Sequence, residues 1–293
     1  MSSRPPLNAL EPGSALATSN TDTRKHIAAP PPQQQRHTPS PRPSRWLGVV
    51  LPVLVLLGLE LAVQAGWVPA HLLPPPSDIA RTLYELAQQG LATHVLVSTA
   101  RVAVGFAAGA ALAVALGVWV GLSRRAEALL DPSFQALRAV PSLAWVPLLL
   151  LWLGIDEGAK LALIAIGAFF PVYMGVASGL RDVDRKLVEV AEMAGLGPLA
   201  MARRVLLPAA LPAVWTGLRN GLSLAWMFMV AAELIAATRG LGYLLTDGRE
   251  TGRADIVLGA IVLLAVMGKL TDSGMQWLEN CWLSWRDTVA TRR

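Results

Sequence analysis

Residues 189–208 read EVAEMAGLGPLAMARRVLLP, a polar, helix-compatible stretch between two long apolar runs. The residues before Gly195 favour a helix. Gly195 and Gly197 suit the left-handed or capping positions that end a helix, and Pro198 suits the first turn of the next one. We expect this second helix to end near Pro208, since proline cannot continue the backbone hydrogen bonding of a helix. The stretch therefore predicts two short helices that meet at a corner.

The composition of the chain is that of a membrane protein. Of its 293 residues, 54% are hydrophobic and 15% are charged, and the mean hydropathy is +0.47. A helix needs roughly 20 apolar residues to cross a hydrocarbon layer of about 30 Å. Six runs of this kind lie at about residues 46–66, 96–122, 134–153, 160–179, 209–236 and 254–273. We therefore expect an all-α integral membrane protein with six transmembrane helices.

The distribution of Lys and Arg predicts the orientation of these helices. If the N-terminus is cytoplasmic, sixteen of these residues fall in inside segments and five in outside segments. Positive charges concentrate on the cytoplasmic side of membrane proteins. Both termini are therefore expected to be cytoplasmic. A cytoplasmic loop, which we call the elbow, is expected at about residues 181–208.

The chain divides into three predicted segments. Residues 1–45 contain nine prolines and scattered polar residues. Such a composition buries too little apolar surface to offset the entropy of ordering, so we expect a disordered cytoplasmic tail. Residues 46–287 are expected to form the six-helix transmembrane domain, and residues 288–293 a cytoplasmic C-terminal tail.

Residues for metal or nucleotide chemistry are not evident. The single cysteine, Cys281, and the four histidines share no metal-ligand spacing. The chain has no Gly-x-x-x-x-Gly-Lys-Ser/Thr loop and no dinucleotide-binding glycine motif after a strand. We expect no catalytic residue, no metal and no bound cofactor, so energy must come from a partner subunit or an ion gradient.

The fifth apolar run carries polar residues on one side. At about 100° per residue, one stripe of this helix holds Arg219, Ser223, Trp226 and Glu233. A charge at membrane depth costs roughly 2.5–3.5 kcal/mol on insertion scales, so the stripe should face the bundle interior or a wet cavity. It is the candidate lining of a transport path, in which the Arg219 guanidinium would suit an anion. The alternatives are that Arg219 snorkels or pairs with another helix, and that Glu233 is hydrated near the outer boundary.

Two further features predict how the helices pack. The second run carries a ridge of small residues, Gly105, Gly109, Ala113, Gly117 and Gly121. Such ridges let membrane helices approach closely, so this face should contact protein. Prolines in the third and fourth runs, Pro141, Pro147 and Pro171, predict bends that serve either as static kinks or as hinges.

The elbow resembles the EAA loop of ABC-importer permeases. That pattern is Glu-Ala-Ala, three residues, Gly, nine residues, then Ile-x-Leu-Pro. Its matching positions in this chain are Glu189, Ala191, Gly195, Val205, Leu207 and Pro208. Val190 stands in place of the second Ala, and Val205 in place of Ile. Both replacements keep the apolar character of the pattern.

Further strings narrow the resemblance to the branch that carries sulfonates, taurine, nitrate and thiamine precursors. They are Leu129-Leu130-Asp131, Gln135-x-Leu137-Arg138-x-Val140-Pro141, the stretch 151–160 and Trp282-Leu283-x-Trp285. These strings look most like those of the aliphatic sulfonate permease. They do not identify which side chains contact a substrate.

The resemblance implies the architecture and partners of a type I ABC importer permease. These partners are an ABC ATPase that binds ATP and Mg, a periplasmic or lipid-anchored solute-binding protein, and a second copy of this chain. The chain would lie in the lipid bilayer of the bacterial cytoplasmic (inner) membrane, with no nucleic-acid partner. Glu189, Ala191 and Gly195 would couple the elbow to the ATPase, and the small anion would cross by alternating access.

Two other classes remain open from the sequence. An ion-coupled secondary transporter would need its own coupling site near the midplane, commonly between repeated halves, and the sequence indicates neither. A membrane sensor or scaffold would move no solute, and an added soluble signalling domain would be typical of it.

Overall fold

The computed structural model describes residues 47–283, and every regular element in this part of the chain is helical. The predicted tails, residues 1–45 and 288–293, lie outside the described residues. In chain order the α-helices are α1 (Leu47–Gln64), α2 (Pro76–Gln88), α3 (Leu91–Leu122), α4 (Arg124–Ala139), α5 (Val146–Leu153), α6 (Glu157–Arg181), α7 (Arg185–Met193), α8 (Pro198–Met201), α9 (Leu207–Ala236), α10 (Leu241–Glu250) and α11 (Ala254–Trp282). A 3-10 turn, Ser142–Trp145, precedes α5, and a π turn, Ala202–Leu206, joins α8 to α9.

Four helices are long and apolar enough to cross a membrane: α3, α6, the continuous segment Pro198–Ile235, and α11. The pair formed by α4 and the segment Ser142–Leu153 makes a fifth span if it is counted as one broken helix. Helix α1 is apolar but shorter. The expected all-α membrane fold is confirmed, whereas the count of six spans and the side on which the termini lie stay predictions.

The third predicted run, residues 134–153, is not one helix. Helix α4 ends at Ala139, and the chain bends by 88° before it continues into α5. The reason is Pro141, which has no N–H to donate and disfavours helical geometry in the residue before it. Val140 accordingly has φ −72° and ψ 123°, an extended conformation.

The small residues of α3 pack against α6. A Cβ placed on Gly117 would lie 2.8 Å from the Cβ of Val176, and one on Gly109 would overlap the backbone of Ala165. Ala113 is fully buried. The predicted ridge is therefore confirmed as a protein contact, and its neighbour is a helix of the same chain.

The opposite face of α6 packs against α9 through another set of glycines. A Cβ on Gly175 would come within 2.7 Å of the Gly217 Cα, and one on Gly217 within 2.9 Å of the Pro171 carbonyl oxygen. The two backbones therefore touch with no side chain between them, as is typical of closely packed membrane helices. Helix α6 thus lies between α3 and α9 at the centre of the bundle.

The expectation that a helix ends near Pro208 is wrong. Helix α8 continues through the π turn into α9, and Pro208 lies in the first turn of α9. In the π turn the Leu207 N–H donates to the Ala202 carbonyl, five residues back. This widened turn lets a proline follow without breaking the helix, because it shifts the hydrogen bonding that Pro208 would otherwise interrupt.

Because α6 and α9 touch at Gly175, the same glycine-to-alanine substitution should lower the stability of the chain at Gly175 but not at Gly158. Gly175→Ala places a methyl group against the backbone of Gly217, and overpacking of this kind costs about 1–3 kcal/mol. Gly158→Ala, in the same helix, meets no atom within 4 Å. Thermal unfolding of the purified chain in detergent should give a lower apparent melting temperature for Gly175→Ala, and an unchanged or slightly higher one for Gly158→Ala. Equal melting temperatures would contradict the backbone contact.

Candidate functional site

The elbow has the corner that its sequence predicts. The Asp184 side chain caps α7 by accepting the Lys186 N–H at 2.9 Å. After α7 the chain turns at Gly195, whose φ is +72°, and the Leu196 N–H donates to the Ala191 carbonyl at 3.1 Å. Since side-chain-bearing residues rarely adopt this left-handed conformation, Gly195 determines the angle between the two short helices.

One surface of the elbow is apolar and exposed. It is formed by Leu187, Val190, Met193 and Leu199. Glu189 lies beside it and pairs with Arg185 at 3.0 Å, with its side chain 55% exposed. An exposed apolar patch with a charged rim is typical of a site that binds another protein.

The other residues of the predicted coupling loop face inward. Ala191 is buried, and Leu207 and Pro208 are half-buried in the first turn of α9. Ala191 therefore allows the elbow to pack closely, while Leu207 and Pro208 join it to the bundle.

A charge cluster fixes the base of the elbow. Arg181, the last residue of α6, contacts Glu127 at 2.7 Å and Asp131 at 3.3 Å, both on α4. The Tyr173 hydroxyl donates to Asp131 at 3.0 Å. These contacts attach α4 to the end of α6 from which the elbow leaves the bundle.

The predicted stripe on α9 faces α11 over part of its length. Arg219 pairs with Asp272 at 2.9 Å and lies 3.5 Å from Glu279, and the Trp226 indole N–H donates to Thr271 at 3.0 Å. Arg219 therefore pairs with another helix, which is one of the alternatives that the sequence left open. Ser223 is exposed and donates to the carbonyl of Arg219 at 3.1 Å. That the stripe lines a transport path stays a prediction.

Glu233, the last residue of the stripe, is buried and not hydrated. Its carboxylate accepts hydrogen bonds from Ser98 at 2.8 Å, Arg101 at 2.7 Å and the Gly242 N–H at 2.8 Å. The sequence did not predict this network, because its members are distant along the chain. A useful signal was present, since a carboxylate and the guanidinium of Arg101 in two apolar helices require a partner.

Arg101 extends the network to α6. It donates to Glu157 at 2.5 and 2.7 Å and to the Arg239 carbonyl at 2.7 Å, and Lys160 contacts Glu157 at 3.0 Å. Arg101 and Lys160 are both buried. The network joins α3, α6 and α9 at the end of the bundle opposite the elbow, and it positions the loop before α10.

Helix α2 attaches to the same end of the bundle. Thr82 donates to Asp255 at 2.6 Å, and Arg253, in the loop before α11, donates to Asp255 at 2.6 Å. The hydrogen bond with Asp255 raises the pKa of the Arg253 guanidinium. Within residues 47–283, no group of three or more His, Cys, Asp or Glu side chains is placed to hold a metal ion.

A groove of about 660 Å³ opens along α6 and α9 beside the break between α4 and α5. Its polar lining consists of Arg138, Ser142, Ser178, Thr216 and Asn220. We call it the polar groove. The sequence identifies Arg138 only as part of the strings that resemble the permease family, because the bend expected at Pro141 does not by itself bring Arg138 to this surface.

Residues 91–281 match the model of the family described as binding-protein-dependent transport system inner membrane component. A protein named as an aliphatic sulfonates transport permease, SsuC, from Bacillus subtilis (strain 168) is 42% identical over 86% of this chain and 92% of its own length. The protein of the same name from Escherichia coli (strain K12) is 42% identical over 82% and 94%. The taurine transport system permease protein TauC of E. coli K12 is 35% identical over 74% and 81%.

The fold is also found among solved structures. The inward-facing structure of the MetNI methionine ABC transporter contains a chain that superposes with a TM-score of 0.58 at 20% identity, over 66% of this chain and 95% of that one. This likeness shows the fold of a type I ABC importer permease.

The network around Glu233 predicts a strong dependence of stability on this carboxylate. Glu233→Ala would leave Arg101 buried with one partner fewer, and breaking a buried pair costs about 3–5 kcal/mol. Glu85→Ala is the control, because Glu85 forms an exposed pair with Arg81 on α2, and such pairs contribute little. The apparent melting temperature in detergent should fall markedly for Glu233→Ala and stay near the wild-type value for Glu85→Ala. Equal changes would show that the network does not stabilise this end of the bundle.

Proposed function

The chain belongs to the family of binding-protein-dependent transport system inner membrane components, and we propose that it imports aliphatic sulfonates as the permease subunit of an ABC importer. Members of this family are transport components of the inner membrane, and ATP is hydrolysed by a separate subunit. The choice of substrate rests on the similarity, over most of the chain, to two relatives named for aliphatic sulfonates.

Taurine, nitrate and thiamine precursors are the competing substrates within the same branch. The relative named for taurine is less similar to this chain than the two named for sulfonates. Taurine is itself an aminoalkyl sulfonate, so a site for the sulfonate group would accept part of that molecule. Discrimination would then depend on the rest of the substrate, where an apolar wall favours an alkyl chain over an ammonium group.

In the proposed cycle, a solute-binding protein delivers the anion to the outer side, and two copies of this chain form the path between them. An ABC ATPase with bound ATP and Mg contacts the elbow of each copy from the cytoplasm. The apolar surface of the elbow and its continuous connection to α9 support this arrangement, since a force on the elbow acts directly on a membrane helix.

The predicted coupling residues would have different roles. Gly195 sets the corner, Ala191 allows the elbow to pack, and the exposed Glu189 would pair with a basic group of the ATPase. Leu207 and Pro208 join the elbow to α9. The proposal also includes a role in the transport path for the stripe on α9, formed by Arg219, Ser223, Trp226 and Glu233. Of its two charged residues, Arg219 is the more accessible, since its side chain is 32% exposed whereas that of Glu233 is buried.

Reconstitution in proteoliposomes tests the function and its substrate. The complex of this chain with its cognate ATPase and binding protein should accumulate a labelled alkanesulfonate only when ATP is supplied, and uptake should survive collapse of the proton and sodium gradients. Excess unlabelled alkanesulfonate should compete better than taurine or nitrate. A complex with a hydrolysis-deficient ATPase is the control. Uptake that follows an ion gradient would indicate a secondary transporter, and stronger competition by nitrate would overturn the sulfonate assignment.

Two substitutions at Gly195 separate backbone conformation from side-chain size. Valine strongly disfavours a positive φ, whereas asparagine, of similar volume, tolerates it. We expect Gly195→Val to insert normally yet lose most of the ATP hydrolysis that the loaded binding protein stimulates, because the corner opens. Gly195→Asn should retain most of it. Equal loss in both variants would mean that any side chain at this position is excluded, and that the left-handed corner is not the cause.

A further inference from the structure

The polar groove lies near the middle of the two central helices. It contacts Phe170 and Pro171, close to the midpoint of α6, and Asn220, close to the midpoint of α9. The backbones of α6 and α9 touch at Gly175 and Gly217 along its floor. The groove is therefore at membrane depth if these helices span the bilayer.

The break between α4 and α5 opens on this groove. Arg138 is in the last turn of α4, and Ser142 follows the extended residue Val140. Non-helical backbone at membrane depth is tolerated only where protein or a water-filled cavity satisfies its polar groups. The break is thus consistent with a groove that contains water.

Arg138, in α4, differs from the arginines of α3, α6 and α9. Arg101, Arg181 and Arg219 each lie within 4 Å of a carboxylate. Arg138 is exposed and forms no ion pair with any residue in the range 47–283. A charge at membrane depth without such a partner must be solvated by water or by an anion.

The remaining lining complements a molecule with one anionic end and one apolar end. Asn220, which lines the same groove as Arg138, is exposed and makes no side-chain hydrogen bond with another described residue, so its amide N–H groups are available to an oxyanion. The neighbouring walls include Phe170, Met174 and Leu224. A guanidinium can offer two parallel donors to an oxyanion group, and an apolar wall suits an alkyl chain.

We propose that the polar groove is the anion-binding segment of the transport path, in which Arg138 pairs with the sulfonate group, Asn220 donates a hydrogen bond to it, and Phe170, Met174 and Leu224 contact the alkyl chain. This inference rests on the proposed function, because it assigns the substrate of that function to a surface. It differs from the stripe on α9, where Arg219 already has two carboxylate neighbours in the same chain.

The first test compares uptake with ATP hydrolysis in the reconstituted complete complex. Arg138→Gln should lower the rate of alkanesulfonate uptake on the order of tenfold or more, since a hydrogen-bonded charged group is lost. Hydrolysis stimulated by the loaded binding protein should persist, because the elbow is unchanged. Arg138→Lys should restore part of the uptake. Arg125→Gln, in the first turn of the same helix, is the matched control and should transport normally, because Arg125 is exposed and outside the groove.

Uptake by Arg138→Gln within about twofold of the wild-type rate would overturn the proposal, since a tenfold or larger change is expected of a charged hydrogen bond. If the wild-type complex imports no alkanesulfonate, the proposed function fails instead. In that case the second test, which does not need transport, decides whether the groove binds an anion. The second test is also the deciding one in the case where Arg138→Gln loses both hydrolysis and uptake.

The second test labels the groove with charged thiol reagents. Cys281, the single cysteine of the chain, is first replaced by serine, and Asn220→Cys is introduced. In the complete complex, each rate is divided by the rate of the same reagent with a small free thiol in solution. On this relative scale the anionic 2-sulfonatoethyl methanethiosulfonate should react faster than its trimethylammonium counterpart, and Arg138→Gln should remove this preference. Val262→Cys, on an exposed apolar face of α11, should react slowly with both. No reaction at position 220, or equal relative rates for the two reagents with Arg138 present, would overturn the proposal.

Discussion

Direct contact between the backbones of α6 and α9, at Gly175 and Gly217, is the constraint on which the rest of the molecule depends. In a bilayer, apolar side chains gain little by leaving lipid for protein, so helices associate by close packing and by polar contacts. The chain uses both means. Glycines bring α6 against α3 and α9 along its length, and charged clusters around Glu233 and Asp131 fix its two ends.

This packing connects the elbow with the polar groove. Helix α8 passes through the π turn into α9 without a break, and α9 contacts α6 over the floor of the groove. A displacement of the elbow by an ATPase would therefore act on the same two helices that carry Asn220 and Phe170. The fold thus provides a short mechanical route from a protein-binding surface to a surface suited to an anion.

The sequence predicted the features that depend on local chemistry. Gly195 is left-handed, because only glycine readily adopts that conformation, and the ridge on α3 is a contact surface, because small residues permit close approach. Features that depend on competition between neighbours were not predictable. The sequence predicted a bend at Pro141 but not that α4 would end there, and it did not predict the π turn through which the helix continues to Pro208. For the same reason Arg138 could not be assigned, because its exposure follows from the break.

Structures of the assembled complex, without nucleotide and with ATP bound, test the central claim most directly. The quantities to compare are the separation of the Gly175 and Gly217 backbones and the position of the elbow relative to the second copy. The account predicts that the two backbones stay in contact in both states, while the elbow, α6 and α9 move together. An elbow that moves while α6 and α9 separate from each other, or remain still, would contradict it.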